Sequence, residues 1–238
     1  MREPIISGRN DSDRLLAREL EQRLTAADRL ELQQSGARLG FEADRLVLTA
    51  AEGPQVSVTL RASSGRPPLL RAVLAGRQPH VADATAGLGG DAFDMAVAGC
   101  TVTAIERALV PWLLLQDGLR RALADPDTAV AAARISLRRG DAVEVLAVPG
   151  PFDVVYLDPL LPAGKASAGK RKGMLALQRL AARDAADDAA LLAAARQAAR
   201  LRVTVKRPQS GPHLAGEQPS GSLAGRTVRF DLYSGLAP

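Results

Sequence analysis

A chain of 238 residues, 47% hydrophobic, can build one sizeable core or one core plus a small accessory. Its net charge of +5 and pI near 10.0 favour polyanionic partners, nucleic acid above all, although excess arginine on an alanine-rich background equally reflects a GC-rich genome. No apolar run reaches the roughly 18 residues of a membrane span, no signal-peptide-like stretch follows Met1, two histidines (His80, His213) and one cysteine make no metal cluster, and 3% aromatic content disfavours a many-base stacking platform. The lone Cys100 cannot form an internal disulfide, which fits a reducing cytoplasm.

From the N-terminus, residues 12–24 read as a charged amphipathic helix. Strand-like runs follow at 30–32, 45–49 and 56–60, punctuated by Gly36, Gly40 and Gly53-Pro54. Residues 1–75 are therefore expected to form a small α+β accessory region, with a loop at 63–68 and a short helix at 69–74. Residues 76–238 alternate strand and helix. Strands are expected at 80–83, 101–106, 135–137, 152–158, 201–206 and 227–233, with helical stretches at 92–98, 111–123 and about 175–200. This alternation predicts βαβ crossovers and a mostly parallel, doubly wound, Rossmann-like α/β sheet. A Pro/Gly/Ser-rich loop without a helix joins the last two strands, which predicts an antiparallel finish at the sheet edge. Phe93 and Trp112 fall on apolar helical faces and read as core.

Acids recur where these strands end: Asp83, Glu106, Asp141 and Asp158. One strand-end acid often only caps a helix. Four at the carboxyl ends of an open α/β sheet line one crevice. The first strand enters a glycine turn, Gly87-Leu88-Gly89-Gly90-Asp91, and then a helix. The glycines let backbone approach a ligand closely, and the helix N-terminus turns free N–H groups into the crevice. Glu106 lies about 20 residues further on, where an acid can accept both hydroxyls of a ribose. That spacing suits NAD and adenosyl cofactors equally. The turn departs from the dinucleotide pattern G-x-G-x-x-G, because Asp91 at the helix start repels a pyrophosphate. It suits a cofactor with ammonium and sulfonium groups, such as S-adenosylmethionine (SAM).

Asp158-Pro159 ends a hydrophobic strand. An exocyclic base amine is a poor nucleophile, its lone pair being delocalised into the ring. A carboxylate and a neighbouring backbone carbonyl can each accept one N–H and aim the lone pair, so catalysis is positioning plus electrostatics. An ordinary Asp-Pro turn is the plain alternative. Lys165, Lys170, Arg171 and Lys172 follow directly as a basic segment suited to phosphates, although a solvated loop reads the same way. Lys206-Arg207 bring further charge to the rim.

Taken together, these blocks resemble the RsmJ-type methyltransferases, which transfer a methyl group from SAM to N2 of a guanine in small-subunit (16S) ribosomal RNA. The resemblance runs from about residue 81 to 235. It rests on Asp83-Ala84-Thr85-Ala86-Gly87-Leu88-Gly89, Asp91-Ala92-Phe93, Glu106-Arg107, Val154-Val155-Tyr156-Leu157-Asp158-Pro159, Val205-Lys206-Arg207-Pro208 and Arg229-Phe230-Asp231-Leu232-Tyr233. It implies a class I methyltransferase fold, with SAM against Gly90-Asp91, Glu106-Arg107, Gly140-Asp141 and Asp158. The glycine-turn reading adds Asp83 and Gly87 to that set. Asp158 and Pro159 become the catalytic pair, and Lys165, Lys170, Arg171, Lys172, Lys206 and Arg207 the RNA contacts. The chain departs from the family at Gly90, where arginine is usual, at Gly140-Asp141, where the pair is typically serine-like, and at Leu161, where an aromatic is usual. It also has only the short 63–66 segment where the family carries a longer basic, glycine-rich one. The rival readings are a non-catalytic RNA-binding or assembly protein on this scaffold and an NAD-dependent oxidoreductase.

Overall fold

The computed structural model describes residues 5–49, 55–63, 67–74, 78–147, 152–159 and 185–236. Helix α1 (Asp11–Arg23) starts at Asn10, whose side chain accepts the Asp13 N–H at 2.9 Å. Helix α2 (Ala26–Ser35) starts in a capping box. Thr25 Oγ1 accepts the Asp28 N–H at 3.1 Å, and Asp28 Oδ2 accepts the Thr25 N–H at 2.8 Å. It stops at Gly36, whose φ of 65° is left-handed. These two signals overrule the short alternation of Leu30-Glu31-Leu32, so that run is helix and not the expected strand.

Strands β1 (Ile6–Gly8), β2 (Arg38–Glu42) and β3 (Arg45–Thr49) form a small sheet, β1 parallel to β2 and β2 antiparallel to β3. The β2–β3 turn puts Ala43 and Asp44 at positive φ, as a two-residue hairpin demands. The buried Asp13 carboxylate accepts both of their N–H groups, at 3.3 and 3.0 Å. The run at 56–60, expected as a strand, makes only an isolated bridge from Val56 to Leu48.

The main sheet comprises β4 (His80–Asp83), β5 (Thr101–Glu106), β6 (Ile135–Arg139), β7 (Phe152–Leu157), β8 (Ala199–Pro208), β9 (Gly221–Ala224) and β10 (Val228–Ser234). Its order is β6-β5-β4-β7-β8-β10-β9. The first five are parallel, β10 runs antiparallel to β8, and β9 antiparallel to β10. The expected antiparallel finish is present. The segment before β10 is more than a loop, however, because it carries a 3-10 turn (Leu214–Gly216) and the edge strand β9. Buried Asp231 on β10 ties that segment down. It accepts from Ser222 Oγ at 2.6 Å and Arg229 Nε at 2.9 Å, and lies 2.8 Å from His213 Nδ1.

The remaining helices are α3 (Pro67–Leu74), α4 (Gly90–Val97), α5 (Leu109–Ala124), α6 (Ala129–Ala132), α7 (Ala142–Val145) and α8 (Ala185–Ala198). Alternation along β7 sorts its side chains onto two faces. Val154 and Tyr156 join the core under α4 and α5, while Val155 and Leu157 join Leu191, Leu192, Val203 and Val205 under α8. The first core runs on without a break into Ile6, Leu46 and Leu48 of the small sheet. Polar ties follow the same seam. Buried Asp117 on α5 accepts the Leu46 N–H at 3.0 Å, Glu31 on α2 accepts the Leu109 N–H at 3.0 Å, and Arg139 pairs with Asp28 and Glu31. Strand order reverses between β4 and β7, and the crevice at their carboxyl ends is where an open α/β sheet binds ligands.

Candidate active site at the strand switch point

The turn after β4 is anchored to both neighbours. Ala84 N–H donates to the Tyr156 carbonyl and Ala86 N–H to the Ile105 carbonyl, each at 3.0 Å. Gly87 and Gly89 have φ of 54° and 77°. A Cβ at Gly89 would run into the Leu115 side chain, so only glycine lets α4 start this close to α5. Gly90 has open space around it.

Glu106 closes the far side of the turn. Its Oε2 accepts the Gly87 N–H at 2.9 Å and its Oε1 the Ala108 N–H at 2.7 Å. Burial raises its carboxyl pKa, and these N–H bonds offset only part of that. The acid at the end of β5 is thereby aimed across the glycine turn with lone pairs to spare, since each carboxylate oxygen has two.

At the other side of β4, four side chains from four elements meet. Asp91 Oδ2 accepts from Tyr156 Oη at 2.6 Å and from Lys206 Nζ at 2.8 Å. The same Nζ donates to Asp158 Oδ2 at 2.8 Å. The Asp158 N–H donates to Thr85 Oγ1 at 2.6 Å, which seats the Asp-Pro turn on the loop after β4. Asp83 lies beneath with its side chain buried. Burial first, then the charges of Asp91 and Asp158, push its carboxyl well above the usual range. Burial and the same carboxylates push the Tyr156 phenol up as well, so it stays a donor.

The structure thus brings Asp83, Gly87, Asp91, Glu106 and Asp158 to one rim. Asp141 acts first as a helix cap, its Oδ1 accepting the Val143 N–H at 2.8 Å. Arg107 Nη1 stands 3.8 Å from Asp141 and 3.9 Å from Asp187, a loose link from the end of β5 to α7 and α8. Two expected phosphate contacts are placed otherwise. Arg207 is only 4% exposed and its Nε donates to the Pro212 carbonyl at 2.9 Å, so its guanidinium faces inward. Lys206 already lies between two carboxylates. Lys165, Lys170, Arg171, Lys172 and Leu161 lie outside the described residues. Phe93 is buried as expected. Trp112 is partly buried, its indole N–H without a partner among the described residues. Sequence reasoning did not assign roles to Tyr156 and Thr85. The signal for Tyr156 is an aromatic two residues before Asp158, hence on the same face.

The rim fits an adenosyl cofactor carrying positive charge. The glycine turn, with open space at Gly90, adjoins an acid suited to a ribose, and the helix start beside it carries the Asp91 carboxylate where a pyrophosphate would need a cluster of N–H groups. Parallel strands in this order with an antiparallel finish, together with these strand-end acids, define a class I methyltransferase fold. The family model "Putative SAM-dependent methyltransferase" matches residues 20–235. The chain is 50% identical over 175 residues to ribosomal RNA small subunit methyltransferase J of Laribacter hongkongensis, covering 72% of this chain and 62% of that protein. It is 45% identical over 177 residues to the protein of that name from Neisseria gonorrhoeae, covering 73% and 70%. The crystal structure of a SAM-dependent methyltransferase from Neisseria gonorrhoeae superposes with a TM-score of 0.69 at 35% identity, over 96% of this chain and 95% of the other. The chain belongs to the ribosomal RNA small subunit methyltransferase J family of SAM-dependent methyltransferases. Among the described residues no helix is long and apolar enough to cross a membrane, and no group of three His, Cys, Asp or Glu side chains could hold a metal ion.

Proposed function

We propose that this chain methylates N2 of a guanine in small-subunit (16S) ribosomal RNA, using SAM. The observation that carries the reading is the seat of Asp158-Pro159, tied by Thr85 to the cofactor side of the crevice. The names of its relatives support small-subunit ribosomal RNA as the substrate.

Glu106 takes the ribose hydroxyls, with the Gly87–Gly90 turn against the nucleoside. Asp91 faces the methionine ammonium, with Asp83 behind it. Arg107, Gly140 and Asp141 border the base. When bound, SAM supplies an electrophilic methyl group on a sulfonium. The rest is done by the chain's own groups. The Asp158 carboxylate accepts one N–H of the guanine amine and the Pro159 carbonyl the other, which turns the nitrogen lone pair toward the methyl. Once methylated, the nitrogen would have to lose a proton, and the carboxylate beside it would take it. Asp158, its side chain 41% exposed, can pass that proton to water. Lys165, Lys170, Arg171 and Lys172 follow this turn in sequence and engage phosphates. The buried, unpaired Cys100 thiol suits a cytoplasmic protein.

The test is transfer of labelled methyl to small subunits from a strain lacking the modification. Asp158→Asn is expected to lower transfer by about 10²–10³-fold while leaving S-adenosylhomocysteine binding by calorimetry within about 3-fold (roughly 0.6 kcal/mol). A chain that binds this ligand yet methylates no ribosomal RNA would overturn the substrate assignment. Tighter binding of NAD than of S-adenosylhomocysteine would overturn the cofactor.

A further inference from the structure

Lys206 sits where none of its obvious duties explains it. It lies near the end of β8, with its side chain 22% exposed, and its Nζ is 2.8 Å from both Asp91 Oδ2 and Asp158 Oδ2. Asp91 Oδ2 also receives the Tyr156 hydroxyl at 2.6 Å, and Tyr156 is 1% exposed on β7. One end of the bridge is therefore rigid. The other end, Asp158, is the more exposed side chain and the one assigned to the guanine amine.

A phosphate contact would require the ammonium to leave two charge-assisted hydrogen bonds. It would also draw a phosphate toward Asp83, Asp91 and Asp158. Burial acts to lower the lysine's pKa, yet the two carboxylates outweigh it and raise it, so the ammonium keeps its charge. We propose that Lys206 is a positioning residue of the methyl-transfer site, holding the Asp158 carboxylate for the acceptor amine through a bridge anchored on Asp91 and Tyr156. This rests on the reading of Asp158 given above.

Among the described residues, the groups facing the ammonium are Asp83 from β4, Asp91 from α4, Tyr156 from β7 and Asp158 beyond it. None of these four is cationic. Removing the lysine's charge therefore favours protonation of the carboxylates.

Two measurements test this on the full chain. The first needs no activity: carboxyl-carbon NMR of the ligand-free protein, with Asp158 assigned by comparison with Asp158→Asn. In Lys206→Met the Asp158 titration is expected to move up by roughly 1 pH unit, and Lys206→Arg is expected to restore it. The second is the pH dependence of methyl transfer, whose acid limb is expected to move by a similar amount as kcat falls about 10- to 100-fold. An unmoved Asp158 titration in Lys206→Met overturns the bridge. An unmoved acid limb with RNA affinity lost and the salt slope reduced by about 1 would make Lys206 a phosphate contact after all. An equal loss at every pH would make it merely structural. If Lys206→Met does not fold, Lys206→Gln gives the same comparison. A wild-type chain without methyl transfer defeats the functional reading instead, and the NMR titration still decides the bridge.

Discussion

At the residue scale, the glycine turn separates two positions that look alike in sequence. Gly89 needs a left-handed φ of 77° and packs against Leu115, whereas a Cβ at Gly90 would find nothing within 4 Å. Gly89→Ala should lower unfolding free energy by about 2–4 kcal/mol, from strain plus overpacking. Gly90→Ala should change it by less than about 0.5 kcal/mol, and urea titration distinguishes the two. The strand-end acids Asp83, Glu106 and Asp158 were legible because alternation and the glycine turn mark where each strand stops. Their pairings were not. Lys206 lies 115 residues from Asp91 and 48 from Asp158, and no local pattern shows that β7 and β8 lie side by side. The same blindness made Arg207 look like a rim cation, when the turn at Pro212 folds back over it.

At the element scale, α2 does more than cover the sheet. Glu31 accepts the first N–H of α5, at Leu109, and pairs with Arg139 at the end of β6 at 2.6 Å. It thereby holds together the ends of β5 and β6, immediately beyond Glu106 and before Gly140. Glu31→Ala should weaken S-adenosylhomocysteine binding several-fold, about 1 kcal/mol as for a lost helix cap, in calorimetry. Glu19→Ala on the exposed face of α1 should leave it unchanged. The period of the main-sheet strands and of α5 was long enough to read from sequence. Leu30-Glu31-Leu32 was not, because three residues fit either period and the deciding signals were the Thr25–Asp28 box and Gly36 outside the run. Strands β1, β2 and β9 were equally hard to see, being short and carrying Gly or Ser where a longer strand would show branched residues.

At the scale of the whole molecule, the small sheet and the large one share an apolar core that includes Leu46, Leu48, Leu113 and Val81. The change in sequence pattern near residue 75 therefore does not coincide with a gap in packing. A single sigmoidal urea transition is expected for the full chain, with circular dichroism and fluorescence coinciding. A chain beginning at residue 76 should lack a cooperative transition, since it would expose α5 where Leu46 and Asp117 now meet. Two separate transitions in the full chain would contradict this.

Trp112, the one tryptophan, lies one turn into α5, its backbone N–H bonded to the carbonyl of Ala108, whose own N–H is held by Glu106. The tryptophan's helix is thus joined to Glu106, the proposed ribose acid, through two hydrogen bonds donated by backbone N–H groups, which makes its indole a candidate optical reporter. If nucleosides bind beside Glu106 as proposed, tryptophan emission is expected to change on their addition, with no label and no turnover.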